Sequence, residues 1–509
     1  MPMEKLKLTT YFSEIYDKGE YPRFKVLING KWIKTKDVLD LISSVDETKI
    51  AEIGFASKED LDFAVKSAND NKNRIRDMSA IDRIELLNKV KGEIEAHREE
   101  LVGVLVREAG KPYNSANGEI NATIERLRLS MEDSGKIKGE YIPGDWSSDT
   151  TRKVALAIRE PVGVVLGIPP FNYPVYTSIA KIIPALLSGN AVIVKLPSSD
   201  PITMLMCAEI FRKCGVPPGT LQVVTGSGSV AGDYIIKNEN INMISFTGST
   251  VVGKHIAQVA NIKKRHMELG GKGTAIVLDD ADLDLVAKEC IYGSLELAGQ
   301  RCDAVSRVFV MDNIAGKFYQ RIEEYINDYK FGNPLEGKDI NVGPMINKKA
   351  AERVDSMVKD AINKGAKLVR GGRFNNSYYE PTILEDVPLS SQIANEETFG
   401  PVVTLIRVKD DDDAIKIANQ SNYGLDSSVF TNDFYRAWRI MKALQVGNVT
   451  LNSAPSHGTA YFPFGGVKDS GDGKEGVGYS IEEMTNVKTM IFNLGAKNLG
   501  KLYSGQFKD

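Results

Sequence analysis

The sequence predicts an α/β protein built on two doubly wound parallel sheets. Strand and helix signals alternate from 160 to 270 and again from 271 onward, and a helical stretch precedes both. Parallel strands need crossover connections, and helices of about 10–15 residues between short apolar runs supply them. In chain order, Ser57 ahead of Glu59 and Asp60 marks a helix start, and Leu61, Ala64, Val65 and Ala68 follow at helical spacing. Ile120, Ile124, Leu127 and Met131 form another apolar stripe, so 57–135 reads as helical. The run 162–168 reads as a buried strand, 175–187 as a helix stopped by Gly189, 191–195 as a strand, and 201–214 as a helix ended by Gly215. Strands over 221–224 and 243–246 and a helix over 249–260 complete the first region. In the second, 274–278, 306–310 and 402–408 read as strands, 314–329 and 348–364 as helices, and 414–420 continues the alternation. The acidic run from Asp410 to Asp413 opens a helix, where carboxylates suit the positive end of the dipole. Segments 141–157 and 485–494 fit neither core.

The chain has 509 residues, enough for about three domains. Hydrophobic residues make up 42%, as in an ordinary globular protein, and the net charge of −3 gives no overall attraction to nucleic acid or anionic membrane. Apolar stretch 162–187 is the nearest approach to a membrane span, and Pro169, Pro170, Asn172, Pro174, Lys181 and Pro184 break it. Four cysteines, Cys207, Cys214, Cys290 and Cys302, form no CxxC pair and no zinc-like cluster, so no metal site is expected. So few cysteines fit a reducing cytosol, and the N-terminus lacks the apolar core of a signal peptide; a cytoplasmic location is expected.

Four short segments carry chemistry. Ala298-Gly299-Gln300-Arg301-Cys302-Asp303 sets a thiol in a polar segment beside a permanent cation, a setting expected to be accessible and electropositive. Cys207 and Cys290 lie in apolar helical patterns and read as core. Glu268, 34 residues before Cys302, is followed by Leu269-Gly270-Gly271; a carboxylate at such a turn can be buried over a pocket and raised to a working base. Asn172, in Pro170-Phe171-Asn172-Tyr173-Pro174, sits between a strand and a helix, where its amide can serve an oxyanion. Phe246-Thr247-Gly248-Ser249-Thr250 closes a strand and opens a helix, so the N–H groups of Gly248 and Ser249 can meet a pyrophosphate. The glycines Gly226, Gly228 and Gly232 follow a strand too, but their last spacing is one residue too long for the usual dinucleotide fingerprint, and no acidic residue follows where Val252 stands.

Together these segments resemble the aldehyde dehydrogenase superfamily over nearly the whole chain. The resemblance implies a Rossmann-like cofactor domain over 1–138 and 159–270, a catalytic domain over 271–480, and a small β oligomerisation arm over 139–158 and 481–509 that pairs between subunits of a homo-oligomer, a dimer of dimers. It implies that Cys302 attacks an aldehyde, that Asn172 and the Cys302 N–H hold the oxyanion, and that Glu268 activates the water that hydrolyses the thioester. Cofactor contacts are implied at Lys195, Ser198, Gly228, Phe246, Gly248, Ser249, Leu269 and Phe399, with Glu397 on the nicotinamide ribose. Many NAD-preferring relatives carry glutamate where this chain has Ser198; a carboxylate there would repel a 2′-phosphate, so NADP is expected as the preferred cofactor with NAD tolerated.

The Gly299-Gln300-Arg301-Cys302 segment, Tyr173, and Gly139-Glu140-Tyr141-Ile142-Pro143-Gly144-Asp145-Trp146 are similar to the non-phosphorylating glyceraldehyde-3-phosphate dehydrogenase branch. That implies a phosphorylated aldehyde, with Arg301 and Tyr173 at the substrate. Some members place an arginine six residues before a Phe-Pro-Phe segment; here His457 stands near that place. Another phosphate-binding arginine of the branch has no clear match. Arg128 lies about 70° from the 120–131 apolar stripe and Arg126 about 130°, at about 100° per residue, which favours Arg128. The expected reaction takes glyceraldehyde 3-phosphate to 3-phosphoglycerate, with succinate semialdehyde or lactaldehyde as the alternative substrates.

Overall fold

The computed structural model describes residues 6, 8–228, 232–456 and 461–494. Its first large sheet has eight strands. Five are parallel and central: Leu221–Val224, Ala191–Lys195, Val164–Ile168, Met243–Thr247 and Lys264–Glu268, in that spatial order. Antiparallel strands flank them, Val26–Ile28 and Lys31–Ile33 on one side and Gly471–Asp472 on the other. The strand order reverses between Val164–Ile168 and Met243–Thr247. In an open α/β sheet a reversal of this kind leaves a crevice at the carboxyl ends of the strands.

The second large sheet has seven strands, ordered Lys367–Arg370, Thr382–Glu385, Val402–Val408, Val305–Met311, Gly273–Val277, Asp426–Phe430 and Asn448–Leu451. All neighbours are parallel except the first pair. Strands such as Ala191–Lys195 and Gly273–Val277 are buried along their whole length, as continuous apolar runs in a sheet covered on both faces must be. Each fully buried Val or Ile contributes about 1.5–3 kcal/mol of transfer free energy.

Helices begin and end where their sequences dictate. Ser57 and Asp60 form a reciprocal capping box at Lys58–Arg76. Asp410 caps Asp411–Asn419 through the Asp413 N–H, and Asp411 pairs with Arg436 and Arg439. Gly189, Gly215 and Gly365 take positive φ after their helices. The expected 57–135 stretch is four helices, Lys58–Arg76, Ala80–Ala96, Arg98–Ala109 and Tyr113–Asp133. The strand Lys264–Glu268 was not anticipated from the sequence: Lys264-Arg265-His266-Met267-Glu268 is polar by composition, yet its last three residues are buried.

The segments that fit neither core form a third sheet. Thr485–Asn493 pairs antiparallel with Lys153–Pro161 in nine successive register positions, and Glu140–Pro143 adds a third strand. Val487 and Ile491 stand 62% and 66% exposed on it. Among the described residues, no helix is long and apolar enough to cross a membrane.

One buried ion pair ties the helical stretch to the first sheet. Glu119, on Tyr113–Asp133, accepts the N–H groups of Val175 and Tyr176 at 2.9 and 3.0 Å, capping the helix Pro174–Leu187. Its other oxygen holds Lys111, and both side chains are sealed from solvent. Removing one partner leaves the other charged and buried. Glu119→Ala should therefore cost about 3–5 kcal/mol in chemical unfolding, and Lys111→Met combined with Glu119→Leu should recover much of that loss.

Candidate active site

The two large sheets meet carboxyl edge to amino edge. Glu268 is the last residue of its strand in the first sheet, and Gly273 opens the first strand of the second. Only residues 269–272 join them. That link is pinned at every step. The Leu269 N–H reaches the Ser470 carbonyl at 2.9 Å, the Gly270 N–H reaches Thr250 Oγ1 at 3.2 Å, and the Gly271 N–H reaches Glu397 Oε1 at 3.1 Å. A Cβ at Gly270 would meet Glu397 Oε2 at 2.6 Å, and one at Gly271 would collide with the Cys302 carbonyl oxygen. The link thus brings the Cys302 backbone against the end of the Glu268 strand.

Cys302 follows a loop of three consecutive left-handed residues, Leu297, Ala298 and Gly299, with φ of 54, 53 and 68°. Non-glycine residues in this conformation cost about 1–3 kcal/mol each and persist where the surroundings over-determine them. Here a Cβ on Gly299 would collide with the Gly400 carbonyl, and Ala298 and Leu297 are buried. The thiol itself keeps partial exposure. Asn172 is buried beside this loop and donates from Nδ2 to the Gln300 carbonyl at 2.8 Å. Among the described residues the Cys302 N–H takes no acceptor. The Asn172 amide thus sits against the loop that carries Cys302, two residues before the sulfur.

Cys302 and Glu268 line one cavity of about 530 Å³, with Tyr173, Tyr292 and Arg301 in its wall. Burial pushes the Glu268 carboxyl up to about 7, against the pull of the neighbouring His266. Glu268 lies in register with Thr247, whose Oγ1 accepts from Lys181 Nζ at 2.7 Å. Lys181 is fully buried and 3.7 Å from Glu475, which also lines the cavity. Burial raises the Cys302 thiol, and the Asp303 carboxylate raises it further. The expected electropositive setting is therefore not what the fold provides. Arg301 forks onto Asp303 at 3.0 and 2.8 Å, so its charge is balanced within the same turn. Its Nη1 alone has no partner among the described residues.

The other expected residues divide. Lys195 ends its strand at the crevice, 7% exposed, and burial alone pushes its ammonium down to about 8. Ser198 donates to the Gly226 carbonyl at 3.2 Å, across the neighbouring strand end. Ser249 caps the helix Thr250–Val259. Phe246 packs under Gly248, where a Cβ would meet its ring at 2.5 Å. Leu269 fills the space beside Gly253, and Phe399 lies edge-on to Phe171 at 5.8 Å. Gly228 is exposed at the end of a described stretch. The Gly248 N–H is not free as expected: it donates to the Glu268 carbonyl at 3.0 Å, so the helix start offers its next N–H groups instead. Tyr173 lies over Lys111 Nζ at 4.1 Å with its hydroxyl raised by burial.

Arg128 is not at the site. It is 44% exposed, between Glu125 and Glu132 on the outer face of its helix. The cavity instead meets Ser115, Gly118, Glu119 and Ala122, a face of small and polar residues with no apolar signal. Arg126 lies about 40° from Ala122 on that face, at about 100° per residue, and is buried, with Nη2 on Ser480 Oγ at 3.2 Å. His457 lies outside the described residues. Reading the sequence alone missed Lys181, Thr247, Glu475 and His266. The usable signals were a lysine inside the apolar helix 175–187 and a histidine two residues before Glu268, on the same strand face.

The aldehyde dehydrogenase family model matches residues 32–490, and the chain belongs to that family. It is 41% identical over 473 residues to the NADP-dependent glyceraldehyde-3-phosphate dehydrogenase of Streptococcus equinus, covering 93% of this chain and 99% of that one. It is 36% identical over 473 residues to the 3-sulfolactaldehyde dehydrogenase of Priestia aryabhattai, covering 93% and 98%. The crystal structure of the NADP-dependent glyceraldehyde-3-phosphate dehydrogenase of Bacillus halodurans C-125 complexed with NADP superposes with a TM-score of 0.90 at 37% identity, covering 92% of this chain and 99% of that one.

The Gly271 contact sets the spacing of thiol and carboxylate. Gly271→Ala should displace the Cys302 carbonyl and slow acylation roughly 10²-fold, since a 1 Å misplacement costs about that much. Rapid-mixing absorbance of reduced nicotinamide, beside an unfolding midpoint, separates this from loss of fold.

Proposed function

We propose that this aldehyde dehydrogenase oxidises glyceraldehyde 3-phosphate to 3-phosphoglycerate with NADP, and with NAD less well, through a thioester on Cys302 that water hydrolyses. The observation that carries the substrate choice is Arg301, the one cation among the described residues that line the Cys302 cavity, beside Tyr173. A guanidinium suits a phosphate oxygen. The similarity to two phosphate-aldehyde dehydrogenases supports the same choice.

The cofactor crevice fits a phosphate-bearing dinucleotide. Lys195 is a buried ammonium with no carboxylate to balance it among the described residues, and Ser198 places no negative charge nearby. Lys195 and Ser198 would hold the adenosine ribose and its 2′-phosphate, the Thr250–Val259 helix start the pyrophosphate, and Glu397 the second ribose. Gly228, Phe246, Leu269 and Phe399 would complete the contacts. A bound nicotinamide supplies the hydride acceptor. Cys302 gives its thiol proton to water in the cavity and Sγ bonds to the aldehyde carbon, and Asn172 Nδ2 with the Cys302 N–H hold the oxygen that becomes negative. Loss of hydride from that carbon leaves the thioester. Glu268 takes a proton from water as its oxygen attacks the carbonyl carbon, and the C–S bond breaks to free the acid and the thiolate. No inorganic phosphate enters and no acyl phosphate forms. The assembly in this reading is a dimer of dimers, with 139–158 and 481–509 as the arm; the exposed Val487 and Ile491 support it.

Absorbance of reduced nicotinamide, with glyceraldehyde 3-phosphate and no added phosphate, tests the reaction with NADP and NAD separately. A kcat/KM panel with lactaldehyde, succinate semialdehyde and 3-sulfolactaldehyde tests the substrate; a higher value for any phosphate-free aldehyde rejects glyceraldehyde 3-phosphate. Cys302→Ala should abolish turnover. Glu268→Ala should keep a single burst of reduced cofactor and then slow by roughly 10²–10⁴-fold. A base works ionised, so a carboxyl near 7 predicts that deacylation falls as pH drops below about 7 while the burst amplitude persists.

A further inference from the structure

We propose that His266 is a positioning residue for the hydrolytic half-reaction: a buried imidazolium, gripped by Glu483, that holds Glu268 as a carboxylate at the Cys302 cavity, resting on the reading of Glu268 as the base. His266 and Glu268 stand two residues apart on Lys264–Glu268, so their side chains share one face. Nε2 of His266 lies 3.2 Å from Glu268 Oε1, an ion-pair contact out of hydrogen-bond alignment that leaves both atoms free to turn toward each other, and Nδ1 bonds to Glu483 Oε2. Glu483 closes the short helix Tyr479–Glu483, and its other oxygen accepts the Lys474 N–H at 2.8 Å. The three groups therefore form a row from the cavity to the surface.

A glycine makes room for that row. Gly473 has φ +96°, and a Cβ there would meet Glu483 Oε1 at 2.6 Å and His266 Nδ1 at 2.8 Å. On the cavity side, a Cβ at Gly465 would meet Glu268 Oε1 at 2.7 Å, so the carboxyl packs against bare backbone. His266 is 3% exposed, whereas Glu483 faces an open groove lined also by Arg159 and Lys264. An imidazole shut between two acids has no solvent to share its charge with.

The charged groups around His266 come from four elements. Its own strand contributes Glu268 and Lys264, whose Nζ bonds the Thr485 carbonyl at 2.8 Å. The segment after Ser470 contributes Asp472, Lys474 and Glu475, with Lys474 Nζ on the Gly465 carbonyl. The terminal helix contributes Glu482, opposite Arg159, and Glu483. The Pro174–Leu187 helix contributes Lys181, which faces Glu475 and Thr247. The two carboxylates touching the ring prevail. Burial disfavours its charge, but Glu268 and Glu483 more than offset this and push it up to about 10. A ring protonated on both nitrogens has no lone pair to take a proton from Glu268. His266 is thus a fixed charge, and its effect is to oppose the burial that raises Glu268.

The sign follows directly. Without the cation Glu268 titrates higher, and deacylation needs a higher pH. In His266→Gln, the acylation burst should persist while the deacylation limb moves alkaline by about one pH unit, about fivefold slower at pH 7. Imidazole titration by side-chain nitrogen NMR is the second measurement, since the chain has only four histidines. One resonance, assigned by its loss in His266→Gln or by elimination with the other three histidines substituted, should stay cationic past pH 8. In Glu483→Gln its titration should fall by about one unit or more. An unmoved limb in His266→Gln, a His266 ring already neutral at pH 8, or a titration unaffected by Glu483→Gln each overturns the proposal. If His266→Gln does not fold, the titration decides alone. A wild-type enzyme with no burst on any aldehyde would refute the proposed reaction, and the titration would still report on the Glu268–His266–Glu483 row.

Discussion

The site depends on a four-residue connection between two sheets. Residues 269–272 leave the carboxyl edge of one and enter the amino edge of the other. Their length fixes how far a carboxylate at the end of the first sheet can stand from the strand Gly273–Val277. Two glycines let the connection pass where side chains would collide with Glu397 and with the Cys302 backbone. The nucleophile loop then has one way to lie, and its left-handed run at 297–299 is the local cost of lying there. A parallel sheet normally offers ligands its carboxyl edge. Here that edge supplies Asn172, Thr247 and Glu268, while the amino edge of the second sheet supplies Cys302. Neither sheet holds the site alone.

Burying charges at this seam is made tolerable by pairing several of them, while Asp426 and Glu268 are raised by burial instead. An ion taken out of water costs several kcal/mol even after relaxation. Lys111 and Glu119 satisfy each other and cap a helix in doing so. Arg301 and Asp303 satisfy each other within one turn. Lys181 lies between Thr247 and Glu475. The capping carboxylate matters for geometry as much as for stability. Glu119 fixes the first turn of Pro174–Leu187, and Asn172 lies two residues ahead of that turn.

The sequence made the backbone of the first sheet legible because its strands are short apolar runs punctuated by glycine. Leu221–Val224 and Ala191–Lys195 stand where their apolar runs placed them. Lys264–Glu268 was illegible because burial there serves chemistry: a histidine and a glutamate occupy positions where a core strand shows aliphatic residues. The N-terminal strands, including Asp37–Ile42 and Lys49–Phe55, were missed for a different reason. Asp37–Ile42 is an exposed edge strand, and Lys49–Phe55 beside it is an inner strand whose buried residues do not alternate cleanly with polar ones. Cys302, Glu268 and Asn172 stood out in the sequence because each lies in a short segment that resembles the family's, and the fold brings Cys302 and Glu268 to one cavity. Arg128 misled because the apolar stripe of its helix faces the core of the first domain, whereas the cavity sees the small residues Gly118 and Ala122. A face selected for being small leaves no hydrophobic periodicity to detect.

The cavity's charges narrow what a substrate can be. Five carboxylates line it, from Glu119, Glu268, Glu296, Asp303 and Glu475, against one cation, Arg301. An anionic aldehyde would be repelled if those carboxylates were free. Glu119 and Asp303 are neutralised by lysine and arginine partners, and Glu268 stands 3.2 Å from the His266 ring. Glu296 takes the Ser115 hydroxyl at the rim. The one cation an incoming group meets in the described wall is therefore Arg301. A guanidinium distinguishes an anion from a hydroxyl. It does not by itself distinguish phosphate from sulfonate or carboxylate, because each presents an oxygen to the same donor. That discrimination needs a second donor at fixed distance, and the described wall of the cavity supplies no second cation. Chemistry is thus written into the rigid seam between the sheets, while the identity of the aldehyde is written into the rim.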